Sequence, residues 1–304
     1  MKITLPNHFL SIAIGLSLVA LTGHVQAQAP AHYVPGAEGL MGASVPGPGF
    51  YVRDYNLFYL SSELNDRDGS KVKDMKFNAF AYAQVPRLIW VTDRKVLGAY
   101  LGTSILYPFT YQHLSVNTPG GKFDKSTFGD GDFMADLNLT WHPGPFDIVF
   151  ADGFCAPTGD SAAPPTVRVG QGFWTNMVTA GVAWNSDPQR TWNVSALSRF
   201  ETNNTDRDTH VTIGDVYTLE WGISRKVVKT LDAGVCGYCQ TKVTKDSGPV
   251  GTPPDRDNTA AVGPELLMAF PKEEAVVSLR YEYEFIADNR AQGHVITLTV
   301  TKKF

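Results

Sequence analysis

The stretch Phe133-Met134-Ala135-Asp136-Leu137-Asn138-Leu139-Thr140-Trp141-His142 decides the fold class. Its odd positions are Phe, Ala, Leu, Leu and Trp, and its even positions are Met, Asp, Asn, Thr and His. Successive side chains of a β-strand point to opposite faces, so this segment carries one continuous apolar face and one polar face. The same alternation recurs where Tyr217, Leu219, Trp221 and Ile223 interleave with Thr218, Glu220, Gly222 and Ser224. It returns where Val277, Leu279, Tyr281, Tyr283 and Phe285 interleave with Ser278, Arg280, Glu282 and Glu284. Helical periodicity is hard to find after the N-terminal region, which gives an all-β class.

Working outward from these three stretches, twelve segments rich in β-branched and aromatic residues are bounded by Gly, Pro, Asn or Asp. They lie near 50–61, 75–90, 96–110, 130–142, 146–157, 173–185, 191–202, 213–226, 230–244, 261–271, 275–287 and 293–304. A soluble sandwich also alternates, so the position of the largest side chains matters. Trp141, Trp174, Trp184, Trp192 and Trp221 fall at or near segment ends on the apolar parity, and Trp90 sits at a segment end with its parity undefined. A membrane barrel places its aromatic girdles there, whereas a sandwich packs such residues centrally.

Connection lengths point the same way. Long connections at 62–74, 111–129, 158–172, 203–212, 245–260 and, more modestly, 288–292 alternate with short ones. The short ones are Thr92-Asp93-Arg94-Lys95, Pro143-Gly144-Pro145, Ser186 to Arg190, Val227 to Lys229 and Lys272-Glu273-Glu274. Bacterial barrels pair long extracellular loops with short periplasmic turns, and an even strand number leaves both ends periplasmic. In the last segment Ile296, Leu298, Val300 and Phe304 share one face while Thr297, Thr299 and Thr301 share the other. Such a final strand with a terminal aromatic resembles the signal read by barrel-insertion machinery. Lys302 falls on the apolar parity, where it must snorkel at an interface. The expectation is an antiparallel up-and-down transmembrane β-barrel of about 12 strands, in contact with membrane lipid.

The N-terminus reads as an export signal. Lys2 supplies a positive charge, Phe9 to Leu21 an apolar run, and Val25-Gln26-Ala27 a small-residue cleavage site. Three regions follow: a removed signal peptide at 1–27, a periplasmic Gly/Pro-rich arm or plug at 28–49, and an outer-membrane barrel at 50–304. No later run approaches the roughly 18 consecutive apolar residues of a spanning helix. With 26 Lys and Arg against 30 Asp and Glu, the chain is mildly acidic, which argues against a nucleic-acid partner. Three cysteines remain, an odd count for a disulfide framework. Cys236-Gly-Tyr-Cys239 has redox-motif spacing but sits in a strand-like run, where residues i and i+3 point to opposite faces, so packing thiols are expected.

The chain resembles the meta-pathway phenol-degradation family of predicted outer-membrane barrel transporters over nearly all of its length. The resemblance is carried by His32-Tyr33-Val34-Pro35-Gly36, Val45-Pro46-Gly47-Pro48-Gly49, Gly129-Asp130-Gly131-Asp132 and Trp141-His142. It continues in Ala156-Pro157-Thr158-Gly159-Asp160, Phe173-Trp174-Thr175 and Glu282-Tyr283-Glu284-Phe285 through Asn289-Arg290. It departs in having Val45-Pro46 where a double proline is expected, and in the Cys236/Cys239 pair. The resemblance implies transport of small, apolar or aromatic substrates, no cofactor and no catalytic residues, in a bacterial outer membrane reached through the inner one.

If the apolar parity faces lipid, the charged residues of the other parity line a pore: Asp132, Asp136, Arg199, Glu201, Glu220, Lys242, Glu265, Arg280, Glu282 and Glu284. The excess of acids has two readings, a constriction favouring cations or neutral polar-aromatic molecules, and an ion-pair network across a lumen too narrow to conduct. An outer-membrane lipid-modifying enzyme is the rival class, yet the chain has no G-x-S-x-G, His142 precedes Pro143 at an expected periplasmic turn away from the outer rim, and His113 and His210, near the expected outer rim, lack a recognisable partner pattern. A structural or adhesive barrel stays open through the long connections. No metal-ligating set is expected.

Overall fold

The computed structural model describes residues 31–161, 167–249 and 257–304. The export signal expected at 1–27 lies outside these residues, as do 162–166 and 250–256 within two of the long connections. Fourteen strands form one sheet: β1 (Gly49–Leu64), β2 (Lys76–Val96), β3 (Ala99–Leu106), β4 (Phe109–Thr118), β5 (Gly121–Asp130), β6 (Phe133–Trp141), β7 (Phe146–Ala156), β8 (Thr175–Asn185), β9 (Trp192–Asn203), β10 (Val216–Val228), β11 (Leu231–Lys242), β12 (Asn258–Phe270), β13 (Ala275–Asp288) and β14 (Ala291–Lys303). All neighbours are antiparallel, and β1 pairs with both β2 and β14, from Tyr51↔Lys303 to Leu64↔Ala291. The sheet therefore closes on itself, with β5 paired along β4 alone.

The closed barrel has twelve staves. β3 and β4 lie end to end along β2, which pairs with β3 from Arg87↔Leu106 and with β4 from Gln84↔Phe109. β5 and β6 follow each other in the same way beside them. Residues 107–108 face 131–133 at this joint, so the second stave carries one extra residue, a bulge. Pro86 and Pro108 have no N–H to give to the ladder here; their carbonyls instead accept from Tyr107 N (3.3 Å) and Gly131 N (2.8 Å). The bulge resets the parity, burying Asp132 after the outward Phe128.

The alternation assigned the faces correctly. Leu137 is 64% exposed and Asn138 7%. In β13, Leu279, Tyr281, Tyr283 and Phe285 point outward while Arg280, Glu282 and Glu284 are buried inside. Trp174, Trp184 and Trp192 are exposed on the outer face at strand ends, whereas Trp90, also exposed, and Trp221 sit within β2 and β10, away from their ends. Backbone groups satisfied by the ladder, an apolar outside and a polar inside are the solution that a hydrocarbon environment demands.

Three boundaries differ from the sequence reading. Residues 111–129 are not a loop: β4 and β5 form a hairpin that turns at Pro119-Gly120. Its β5 half, Gly-Lys-Phe-Asp-Lys-Ser, has backbone pairing but no continuous apolar face, which hid it from a search for alternation. Thr92-Asp93-Arg94-Lys95 belongs to β2, and the chain reverses at Leu97-Gly98, both with positive φ. The connection between β13 and β14 shrinks to Asn289-Arg290.

Residues 31–48 run through the lumen. His32 lies at the end with the long connections, beside Thr175 and Asp132. A 3-10 turn at Gly39–Met41 sits midway against β9, β10 and β11, and Val45 packs on Tyr51, Ile89 and Val91 at the end with the short turns. Leu40 and Ala43 are completely buried. A segment this rich in Gly and Pro cannot build its own core; here the barrel interior supplies one.

Candidate functional site: the lumen and the segment inside it

The lumenal segment is irregular, so its N–H groups need acceptors that no ladder provides. Carboxylates on the inward parity of β9, β10 and β12 supply them. Glu201 accepts from His32 N at 2.9 Å and from Tyr33 N at 3.3 Å. Glu220 accepts from the Tyr33 hydroxyl and Gly36 N, each at 2.6 Å, from Ala37 N at 3.1 Å and from Glu38 N at 3.2 Å. Glu265 accepts from Leu40 N at 2.8 Å. The segment's carbonyls are met too: Ser195 donates to Leu40 O (2.7 Å), Gln240 to Tyr33 O (3.2 Å) and Arg280 to Ala37 O (2.9 Å). Gly39, at φ +66°, lies against Arg280 and Glu265, where a Cβ would collide with both.

The remaining acids of this half-wall are cross-linked to it. Arg280 joins Glu265 at 3.2 Å and Glu282 at 3.3 Å. Glu284 accepts from the Tyr59 and Tyr238 hydroxyls and from Gly293 N, at 2.8, 3.1 and 2.8 Å. Lys242 pairs with Asp246 at 3.0 Å and Asp257 at 3.7 Å, toward the long connections. Asp132, inward through the bulge, accepts from Gly159 N and Gln171 N and lies 2.9 Å from the His32 ring.

On the opposite side the lumenal segment presents Glu38 to a cradle of three guanidiniums. Arg53 from β1 reaches it at 2.8 Å, Arg87 from β2 at 3.0 Å and Arg199 from β9 at 3.2 Å. Each arginine has a second contact. Arg53 donates to Thr301 (3.0 Å), Arg87 to Ser104 (2.9 Å) and Asp136 (3.1 Å), and Arg199 lies 3.9 Å over the Tyr33 ring. Ser104 also donates to Asp136.

Beside this cradle the lumen stays open. A cavity of about 290 Å³ extends between the segment and the wall of β1 to β8, lined by Leu57, Ala81, Ala83, Val85, Leu106 and Met177 together with Glu38 and the three arginines. Small and aliphatic side chains on the inward parity create the space, and on β2 both parities are then apolar.

All ten charged residues assigned to the lumen from parity face inward. The structure divides them: Glu201, Glu220 and Glu265 hold the lumenal segment, Arg199 and Asp136 belong to the cradle, Arg280, Glu282 and Glu284 brace the wall, and Lys242 and Asp132 lie toward the long connections. Parity reading missed Glu38, Arg53, Arg87, His32 and Tyr33. The two wall arginines lie on strands whose inward face is largely apolar, so no alternation drew attention to them.

The three histidines weighed as enzyme candidates lie apart from one another. His113 faces outward on β4, with Nδ1 3.0 Å from Ser126 Oγ but Nε2 3.9 Å from Asp124, too far for a hydrogen bond. His142 lies 2.7 Å from Asp147 beside a short turn, and His210 occupies a left-handed turn position. Cys236 is buried beside Glu265 whereas Cys239 is exposed on the outer face, and all three cysteines are free thiols.

A family described as "Putative MetA-pathway of phenol degradation" matches residues 61–300. The chain belongs to it. Among solved structures the barrel is similar to an outer membrane channel from Pseudomonas putida F1, with a TM-score of 0.75 and 14% identity over 90% of this chain and 100% of that one. Two weaker likenesses are the beta domain of the Bordetella autotransporter BrkA (TM-score 0.49, 11% identity, 85% of this chain and 100% of that one) and a Pseudomonas aeruginosa FadL homologue (TM-score 0.39, 12% identity, 93% and 98%). No curated protein sequence matches the chain.

Proposed function

We propose that this member of the phenol-degradation family is a channel of the bacterial outer membrane for small hydrophobic or aromatic compounds. One observation carries the reading: a lumenal cavity of about 290 Å³ whose wall on β1 to β8 sets an aliphatic patch, Leu57, Ala81, Ala83, Val85, Leu106 and Met177, beside scattered polar side chains such as Ser104, Thr110, Gln112 and Asn138, inside a closed barrel. A water-filled pore for sugars or ions would place polar side chains along its whole circumference. Here the acids on β9, β10 and β12 are engaged with the lumenal segment, so they do not form a free acidic ring for cations. The description of the Pseudomonas putida protein as an outer membrane channel agrees with this reading. In the same reading the chain is exported by its N-terminal signal, contacts lipid through residues such as Leu137 and Leu279, and is inserted through a last strand ending in Phe304.

The test is uptake by liposomes containing the purified protein. Phenol or toluene should enter faster than into protein-free liposomes, while a sugar of similar size should not. Equal rates for all three solutes, or no protein-dependent uptake, refute the reading.

A further inference from the structure

The three-arginine cradle points to a ligand site that the transport of neutral compounds does not require. Arg53, Arg87 and Arg199 come from three different staves and converge on a single carboxylate, that of Glu38. Their other contacts, Thr301, Ser104, Asp136 and the Tyr33 ring, keep the guanidiniums in place independently of that carboxylate. The one wall carboxylate in direct contact with this cluster is Asp136, against three cations, while Glu201 and Glu220 act on Arg199 from further away. Glu38 is carried by the lumenal segment and supplies a second anion from outside the wall. Buried guanidiniums without a counter-charge are costly, and their planar forks fit carboxylates. The same four residues line the apolar cavity, so an incoming solute reaches the cradle with its apolar body against Ala81, Ala83 and Val85. The backbone of the lumenal segment is anchored separately, on Glu201, Glu220 and Glu265. The Glu38 side chain can therefore leave the cradle without releasing the segment.

We propose that Arg53, Arg87 and Arg199 form a binding site for small apolar monocarboxylates, which Glu38 occupies in the resting protein and which a single-ring aromatic acid takes over by displacing the Glu38 carboxylate. This deepens the channel reading by naming a substrate class, and rests on it for its physiological meaning. An enclosed space of about 150 Å³ suffices for benzene, so the cavity accommodates one substituted ring. The exchange is one carboxylate for another in the same cradle. The loss of the Glu38 contacts offsets much of the gain, and binding to the native protein is weak for that reason.

The experiment is calorimetric titration of benzoate and benzyl alcohol into the purified full-length protein and its Glu38→Gln variant, which keeps the size of the side chain and removes its charge. Benzoate should bind Glu38→Gln about tenfold or more tightly than the native protein, the effect expected for freeing charge-assisted hydrogen bonds. Benzyl alcohol affinity should change less than about twofold on the same scale. Adding Arg87→Gln should abolish the gain. If Glu38→Gln does not fold alone, refolding into detergent with benzoate present should restore the heat-modifiable gel shift, and benzyl alcohol should not. Equal gains for both compounds, no gain for benzoate, or rescue by the alcohol as well as by the acid overturns the proposal. Benzyl alcohol uptake into liposomes separates the two readings: its failure removes the channel, whereas the benzoate titration still decides the cradle.

Discussion

The two halves of the barrel wall are built from the same strands and loops, yet they treat the lumen differently. From β9 to β13 the inward positions include Glu201, Glu220, Glu265, Arg280, Glu282 and Glu284, all nearly inaccessible and all bonded to the lumenal segment, to each other or, for Glu284, to the wall at Tyr59, Tyr238 and Gly293. From β1 to β8 the inward positions include Leu57, Ala81, Ala83, Val85, Leu106 and Met177, and they leave the cavity. Hydrogen-bonding capacity decides the difference. An irregular chain is held in a lumen where acceptors meet its N–H groups, and the carboxylates of β9, β10 and β12 supply them. Midway along the lumen the segment thus leans on one half, with Glu38 reaching to the other, while its ends touch the β1–β8 half through His32 and Val45.

The sharpest way to break this contrast is Glu220→Ala. It strands four donors at once, the Tyr33 hydroxyl and the N–H groups of Gly36, Ala37 and Glu38. Each buried donor left without a partner costs about 1–3 kcal/mol. The segment should detach, seen as protease cleavage between 31 and 48 and as a large rise in conductance; an intact, protected segment would show that the acidic half does not hold it. Next in size is Leu137→Arg, which places a charge on the outer face of β6. It should impair insertion by about 2–4 kcal/mol near the bilayer midplane, measured by folding into liposomes, while Asn138→Arg on the lumenal face should be far milder. Equal effects would mean that the faces are reversed.

The two halves also differ in how much of them could be read from the sequence. The strand count, the faces and most charged positions of the acidic half follow from alternation, because polar and apolar residues there keep parity, as in Tyr281-Glu282-Tyr283-Glu284, although the Lys226–Asp232 pair of β10 and β11 was not singled out. In the open half the inner wall is itself apolar, so Phe80-Ala81-Tyr82-Ala83 on β2 reads as uniformly hydrophobic and conceals Arg87 on the same parity. The β4–β5 hairpin was concealed for the opposite reason, since Lys122, Asp124 and Lys125 on β5 resemble a loop. The cradle is only partly local: Arg53 and Arg87 are direct partners in the β1–β2 pairing, whereas Arg199 on β9 reaches the same carboxylate across the closed barrel, which no spacing within the chain encodes.

A smaller change sharpens the comparison from the open side. Ala83→Leu adds three carbons to the cavity wall, away from the anchors of the lumenal segment. Protease protection of residues 31–48 should be unchanged, whereas toluene uptake should fall several-fold, on the order of the 1–3 kcal/mol that overpacking costs a bound solute. Loss of protection together with uptake would show that the two halves are not independent.

The smallest expected effect lies in the long connections above both halves. Arg168 donates to Asp206 at 2.6 Å and joins the β7–β8 connection to the β9–β10 connection. Burial alone would raise the Asp206 carboxyl, but the Arg168 hydrogen bond and charge and the N–H groups of Asp208 and Thr209 outweigh it and hold it below the ordinary carboxylate value. A lowered folded value means that the contact stabilises fully above the unfolded carboxylate pKa, about 3.9, and is lost as the pH falls through the folded one. Hydrogen exchange of the Asp208 and Thr209 amides should therefore keep the same protection from pH 7 to about pH 4.5, once corrected for intrinsic rates, and weaken only below about pH 4. Asp206→Asn should abolish that acid step while the cavity and the lumenal segment behave as before. Protection lost already near neutrality would assign the joining of these connections to groups other than this ion pair.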